Sequence, residues 1–229
     1  MTTLLQTSQD VLYPDDDGLP LSENTKQLRL ILTTQGGLES LFRDEPVFVA
    51  GDLLWYPVEG SGESKAPNVM VIFGQDKKDR RSYRQWEEGN LGPQVMFEFV
   101  STSNSQHEVE VEKLNFYQRH GVEEYYVHDP ERGTLKGWIR QGNRLQPIAV
   151  MEGWQSPLLG IRFELVGQDM QLYYPNGERF STYPELMMER EQERQRADQA
   201  ERQLDEERQR SQKLAERLLE LGIDPDSLV

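Results

Sequence analysis

The sequence predicts an α+β domain with a mixed sheet flanked by helices, followed by one long polar helix. Three observations predict it: short apolar runs divided by turn residues across residues 1–184, two helical segments set among those runs, and an almost wholly polar stretch over 185–221. The division is a domain over 1–184, a helical segment over 185–221 and a tail over 222–229.

The elements follow in order. Residues 1–21 read as an irregular lead-in in which DDD at 15–17 forms a turn. Ser22 is the expected N-cap of SENTKQLRLILTTQGGLESLF, where Leu28, Leu30, Ile31 and Leu32 cluster before Gly36 and Gly37 interrupt them. That is one helix, or two broken at the glycines. PVFVAG (46–51), DLLWYPVEG (52–60) and NVMVIFG (68–74) read as strands, with SGESK between the last two supplying a hairpin loop. QVMFEFVS (94–101) and EEYYVHDP (123–130) are two further strands on either side of a helix over 105–120. Beyond Pro130 the runs GTLKGWIRQG, NRLQPIAVMEG, LLGIRFELVGQ and DMQLYYPNG, with glycines at or near most junctions, read as extra antiparallel strands.

Over 185–221, Ala197, Ala200, Leu204, Leu214, Leu218 and Leu221 keep a 3,4 spacing that also passes through Glu207 and Ser211, and Gly222 closes it as a C′ residue would. This is either a solvated single helix or a coiled coil. The final leucines favour the coiled coil, and with it a homo-oligomer, because they form a stripe with little else to bury against.

Composition removes several function classes. The absence of cysteine excludes disulfides, thiolate nucleophiles and Cys-based zinc sites. The opening MTTLLQTSQDVLYPDDDG has no basic region followed by a long apolar stretch, and no segment reaches about 18 uninterrupted apolar residues. A cytoplasmic protein with no membrane partner is expected. The formal net charge is -15, so the surface repels polyanions on average and any nucleic-acid contact needs a local basic patch. KKDRRSYR is the best such patch, offering Lys77, Lys78, Arg80, Arg81 and Arg84 as phosphate contacts, although such runs are usually solvated loops. Trp86 beside it could stack on a base or anchor the loop. GSGESK lacks Walker spacing, and His107, His120 and His128 are not spaced as metal ligands.

Two charged residues stand where apolar ones belong. Glu98 lies inside QVMFEFVS, sharing a face with Met96 and Val100 while Val95, Phe97 and Phe99 take the other. Lys113, in HEVEVEKLNFYQRHG, falls on a 3.6-residue helix inside the arc of Val109, Leu114, Phe116 and Tyr117, and Glu110 falls there too. A Lys113–Glu110 pair, a satisfied core acid and a snorkelling lysine are the plain alternatives. Taken with a polar residue at the mouth of a neighbouring strand, the two charges compose oxygen ligands for a hard divalent cation plus one fixed positive charge. That layout suits metal-assisted phosphodiester hydrolysis.

From about residue 22 to 150 the chain resembles the large family of restriction endonucleases, common in photosynthetic bacteria, within the PD-(D/E)XK nuclease superfamily. SENTKQ, FVAGDLLWYPVEG, APNVMVIFG, YRQWEEGNLGPQVMFEFVS, EKLNFYQRHGVEEYYVHDP and GWIRQGNRL carry the resemblance, and the ending ELGIDPDSL fits it. It implies a restriction-endonuclease-like core acting on DNA with Mg2+ or Mn2+. It also implies a site made of an Asp opening the second hairpin strand, the Glu of the next strand and a Lys moved onto the following helix. These positions are Asn68, Glu98 and Lys113, with Asn68 and Glu98 as the metal ligands. An acid on the first helix, Glu23, is a further candidate that helix-dipole stabilisation explains equally well.

Asn68 is therefore the pivotal residue. Its amide can ligate a cation without bringing charge, and a unit charge about 4 Å from a cation at an effective dielectric near 20 is worth roughly 4 kcal/mol. Two readings result: a metal-dependent DNA endonuclease with a degenerate site, or a non-catalytic nuclease-fold protein that recruits partners through its coiled coil.

Overall fold

Asn24 opens the first helix, α1 (Thr25–Leu41), by accepting a hydrogen bond from the Gln27 amide at 2.8 Å. The cap therefore falls two residues beyond Ser22, where the backbone leaves its extended conformation. In this computed structural model, which describes residues 11–18, 20–22, 24–101 and 107–220, α1 runs unbroken through both glycines. Gly37 does not end the helix but permits an approach: a Cβ there would run into the ring of Phe180. Glu23 and the tail over 222–229 lie outside the described residues.

Six strands form one mixed sheet: β1 (Val47–Gly51), β3 (Val69–Phe73), β5 (Val95–Phe99), β6 (Glu124–Asp129), β7 (Thr134–Gln141) and β8 (Arg144–Pro147), in that spatial order. All neighbours are antiparallel except β5 and β6, which are parallel and joined through a helix. The hairpin differs from the sequence expectation. β3 pairs with β1, and of residues 52–60 only β2 (Trp55–Tyr56) is extended, pairing in parallel with β4 (Tyr83–Arg84). The physical reason is at the junction. Asp52 adopts a left-handed φ of 50° and turns the chain out of the sheet, after which Trp55 and Tyr56 are drawn into the interior.

Alternation along the central strands divides the interior in two. Val47, Val49, Val69, Val71, Val95, Phe97 and Phe99 pack toward Ile31 and Leu38 of α1 and toward Phe163 and Leu172 of the separate hairpin β9 (Arg162–Val166)–β10 (Asp169–Tyr173). Phe48, Ala50, Met70, Ile72, Met96 and Val100 pack toward Trp55, Tyr83, Val109, Phe116 and Tyr117. The second layer contains the helix between β5 and β6, which begins as a π-helical turn (Glu108–Lys113) and continues as α2 (Leu114–Arg119). Tyr125 donates to the Val109 carbonyl at 2.8 Å, satisfying an acceptor in the wide turn. The lead-in ends against β2: Tyr13 packs edge-on to Tyr56 at 5.4 Å and against Trp86 at 5.0 Å, so Trp86 anchors a loop.

The chain divides into two units, one ending at Ser181 and the other beginning at Thr182. Within the second, at the start of α3 (Tyr183–Glu220), Thr182 donates both its amide and its hydroxyl to Glu185 Oε2 at 2.8 Å, so the Glu185 carboxylate reaches back to the residue that precedes the helix. Leu204 and Leu214 are exposed along it. No helix among the described residues is long and apolar enough to cross a membrane.

Candidate active site

Strand register assembles the site. Val69 faces Phe97 and Met70 faces Met96 across β3 and β5, so the next residues on this ladder are Asn68 and Glu98. Both belong to the face that packs against the π-turn helix. Glu98 is 1% exposed and Lys113 6%, and each needs a partner. They find one another: Lys113 Nζ donates to Glu98 Oε1 at 2.8 Å. Lys113 also donates to the Ala66 carbonyl at 3.3 Å, just ahead of Asn68. Glu110 pairs instead with Lys136 at 2.7 Å, so the Lys113–Glu110 alternative does not form. The sequence-predicted trio of Asn68, Glu98 and Lys113 is thus brought together.

Two further residues belong to this cluster. Tyr117, one turn beyond Lys113, donates its hydroxyl to the same Glu98 Oε1 at 2.7 Å. Burial, reinforced by the adjacent Glu98 charge, pushes its phenol well above the ordinary range, so it remains a donor at neutral pH. Its position in the helical arc with Lys113 was visible in the sequence, but a tyrosine there reads as core. Asp52 is the second. Its backbone amide donates to the carbonyls of Pro67 and Asn68 at 3.1 and 3.3 Å. Burial, and then the nearby Asp17 charge, pushes its carboxyl up to about 6, while Lys113 pulls in the opposite direction. A lone aspartate after a strand reads as turn chemistry, so only register and burial reveal it.

The oxygens are unequally used. Asn68 Oδ1 accepts from the Phe99 amide at 2.6 Å, and the Phe99 carbonyl is held by Gln27 Nε2 at 2.8 Å. Glu98 Oε1 has two donors, whereas Glu98 Oε2 is buried with no hydrogen-bond partner among the described residues. An orphaned buried carboxylate oxygen costs about 1–3 kcal/mol or more unless something binds it. The donor set therefore fits a hard cation. Among the described residues no three His, Asp or Glu side chains gather to hold an ion by themselves.

The basic run is largely consumed within the fold. Lys77 donates to the Phe42 and Arg43 carbonyls at the end of α1, both at 2.6 Å. Lys78 pairs with Glu88 at 3.0 Å, and Arg80 lies between Glu88 and Asp76 and over the Phe48 ring. Arg84 reaches Asp15 and Glu87, both at 3.5 Å. Arg81, with its side chain 89% exposed and Asp15 no nearer than 3.7 Å, is the cation of this run most available to a phosphate. The histidines do not converge: His120 packs on Phe116 and Trp55, and His128 bonds to Thr134 across β6–β7.

The model of the Uma2 family, described as "Putative restriction endonuclease", matches residues 19–171, which covers the whole six-stranded sheet. The chain belongs to the Uma2 family. Among solved structures, this Uma2 chain is similar to "a putative nuclease belonging to DUF820" from Anabaena variabilis ATCC 29413, at 13% identity and a TM-score of 0.47 over 60% of this chain and 75% of that one. No curated protein matches. The matched span contains Asn68, Glu98 and Lys113.

Proposed function

We propose that this Uma2 protein is a metal-dependent DNA endonuclease that hydrolyses phosphodiesters at the Asn68–Glu98–Lys113 cluster. The observation that carries the reading is Glu98 Oε2, a buried carboxylate oxygen without a partner among the described residues, on a residue whose other oxygen is fixed by Lys113 and Tyr117. Glu98 and the Asn68 amide are the ligands for Mg2+ or Mn2+. Such an ion, when bound, polarises the phosphate and lowers the pKa of its water.

The remaining work belongs to the chain. The Lys113 ammonium has three protons, of which Glu98 and Ala66 take two. The third is available to a phosphate oxygen or to the attacking water, and the charge stabilises negative charge developing in the transition state. Tyr117 keeps the Glu98 carboxylate oriented, and Arg81 is the proposed phosphate contact. Self-association through 185–221 and action in the cytoplasm are parts of the same proposal.

A second reading, a non-catalytic nuclease-fold protein that engages partners through α3, is favoured by one observation: the Asn68 oxygen is already committed to the Phe99 amide. Plasmid cleavage with Mg2+ or Mn2+ distinguishes the readings. Wild-type cleavage that is lost in Glu98→Gln is the expected result. Cleavage by Asn68→Asp alone identifies a degenerate site, and no cleavage by any variant overturns the nuclease reading.

A further inference from the structure

The site has a strand more than the sequence pattern assigns to it. β1 ends where Gly51 faces Val69, and Asp52, at the turn that follows, donates its amide to the carbonyls of Pro67 and Asn68 at 3.1 and 3.3 Å, next to the β3–β5 ladder whose following position sets Asn68 opposite Glu98. Three polar residues thus lie along a row of neighbouring strands whose Ala50, Met70 and Met96 share one packed layer.

Asp52 is partly buried, and its carboxylate makes no hydrogen bond or ion pair among the described residues, although it lies within electrostatic reach of Lys113 and Glu98. It also occupies a left-handed backbone conformation at φ 50°, a geometry that non-glycine residues adopt sparingly and that gathers at functional sites. The independent sign of a ligand is Glu98 Oε2, nine-tenths or more buried and unpartnered among the described residues, on the same row.

We propose that Asp52 is the second carboxylate of the cation site, supplying from the end of β1 the charge that Asn68 does not carry. This inference rests on the nuclease reading above. Magnesium and manganese are ordinarily held through one or two carboxylates with water completing the shell, so Asp52 and Glu98 form a sufficient anionic pair. Asn68 then contributes an amide oxygen and the backbone bond that fixes the spacing. The charges of Asp16 and Asp17 in the lead-in also act on Asp52, adding negative charge that favours a cation there.

The test is Mn2+ binding by calorimetry and by electron paramagnetic resonance on the full chain, with circular dichroism as the control for folding. Wild type should bind Mn2+, and Asp52→Asn and Glu98→Gln should each weaken binding at least tenfold while remaining folded. Asn68→Asp introduced into Asp52→Asn should restore much of the affinity, because it returns the lost charge to the adjacent position. If Glu98→Gln weakens binding and Asp52→Asn does not, the Asp52 assignment fails while the nuclease reading stands. If wild type binds no Mn2+, both fail together.

Discussion

The Glu98–Lys113 pair is the residue-scale feature on which folding depends and on which the proposed chemistry rests. Two charges this deep are tolerable only because each neutralises the other, so removing one leaves the other stranded. Lys113→Met should lower the unfolding free energy by about 3–5 kcal/mol in urea titrations. The double variant Glu98→Gln, Lys113→Met should recover a large part of that loss, since no uncompensated charge remains. A double variant no more stable than Lys113→Met would show that packing of the lysine stem, and not its charge, is what matters. The pair was foreseeable as two polar interruptions of apolar patterns. That they meet was implied only by the family resemblance, because the apolar patterns alone leave Lys113 a choice between Glu98 and Glu110 that depends on where the helix lies over the sheet.

At the scale of elements, α1 shows how two adjacent glycines with the same local effect can have opposite roles. Ile31, Thr34, Gly37 and Leu38 form its buried stripe, while Gly36 faces open space. Gly36→Ala should therefore stabilise the protein by about 0.5–1 kcal/mol through helix propensity and a less flexible unfolded chain. Gly37→Ala should destabilise it by about 1–3 kcal/mol, because the added methyl meets Phe180. Thermal denaturation of the two single variants measures both, and equal effects of one sign would refute this account. The π-turn is a similar case. A regular 3.6-residue wheel places Lys113 and Glu110 in one arc, but the wider turn delivers Lys113 to β5 and Glu110 to β7.

For the molecule as a whole, the governing quantities are its charge and, in the proposed reading, self-association through α3. A net charge of -15 opposes DNA, and most of the basic run is spent on internal partners. In the proposed nuclease reading, holding substrate depends on a small number of cations and on a divalent ion at the site. Along α3, Leu204 and Leu214 are more than half exposed, and burying a leucine is worth about 1.5–3 kcal/mol. Sedimentation should give about twice the 26.7 kDa chain mass for wild type and the monomer mass for Leu214→Glu, Leu218→Glu. A monomeric wild type would end the coiled-coil proposal.

By itself the sequence determined the α+β class, the order of the central strands along the chain, the buried setting of Glu98 and Lys113, and the amide at Asn68. Each of these is written in local periodicity, in a charge inside an apolar run, or in a single residue type. Only the tertiary structure decided that β1, not residues 52–60, pairs with β3, that most of the basic run is internally satisfied, that Tyr117 bonds to Glu98, and that Asp52 lies within electrostatic reach of it. These outcomes depend on strand register and on which of several possible partners a side chain reaches. Such choices are made by packing between segments far apart in the chain, and a local pattern carries no record of them.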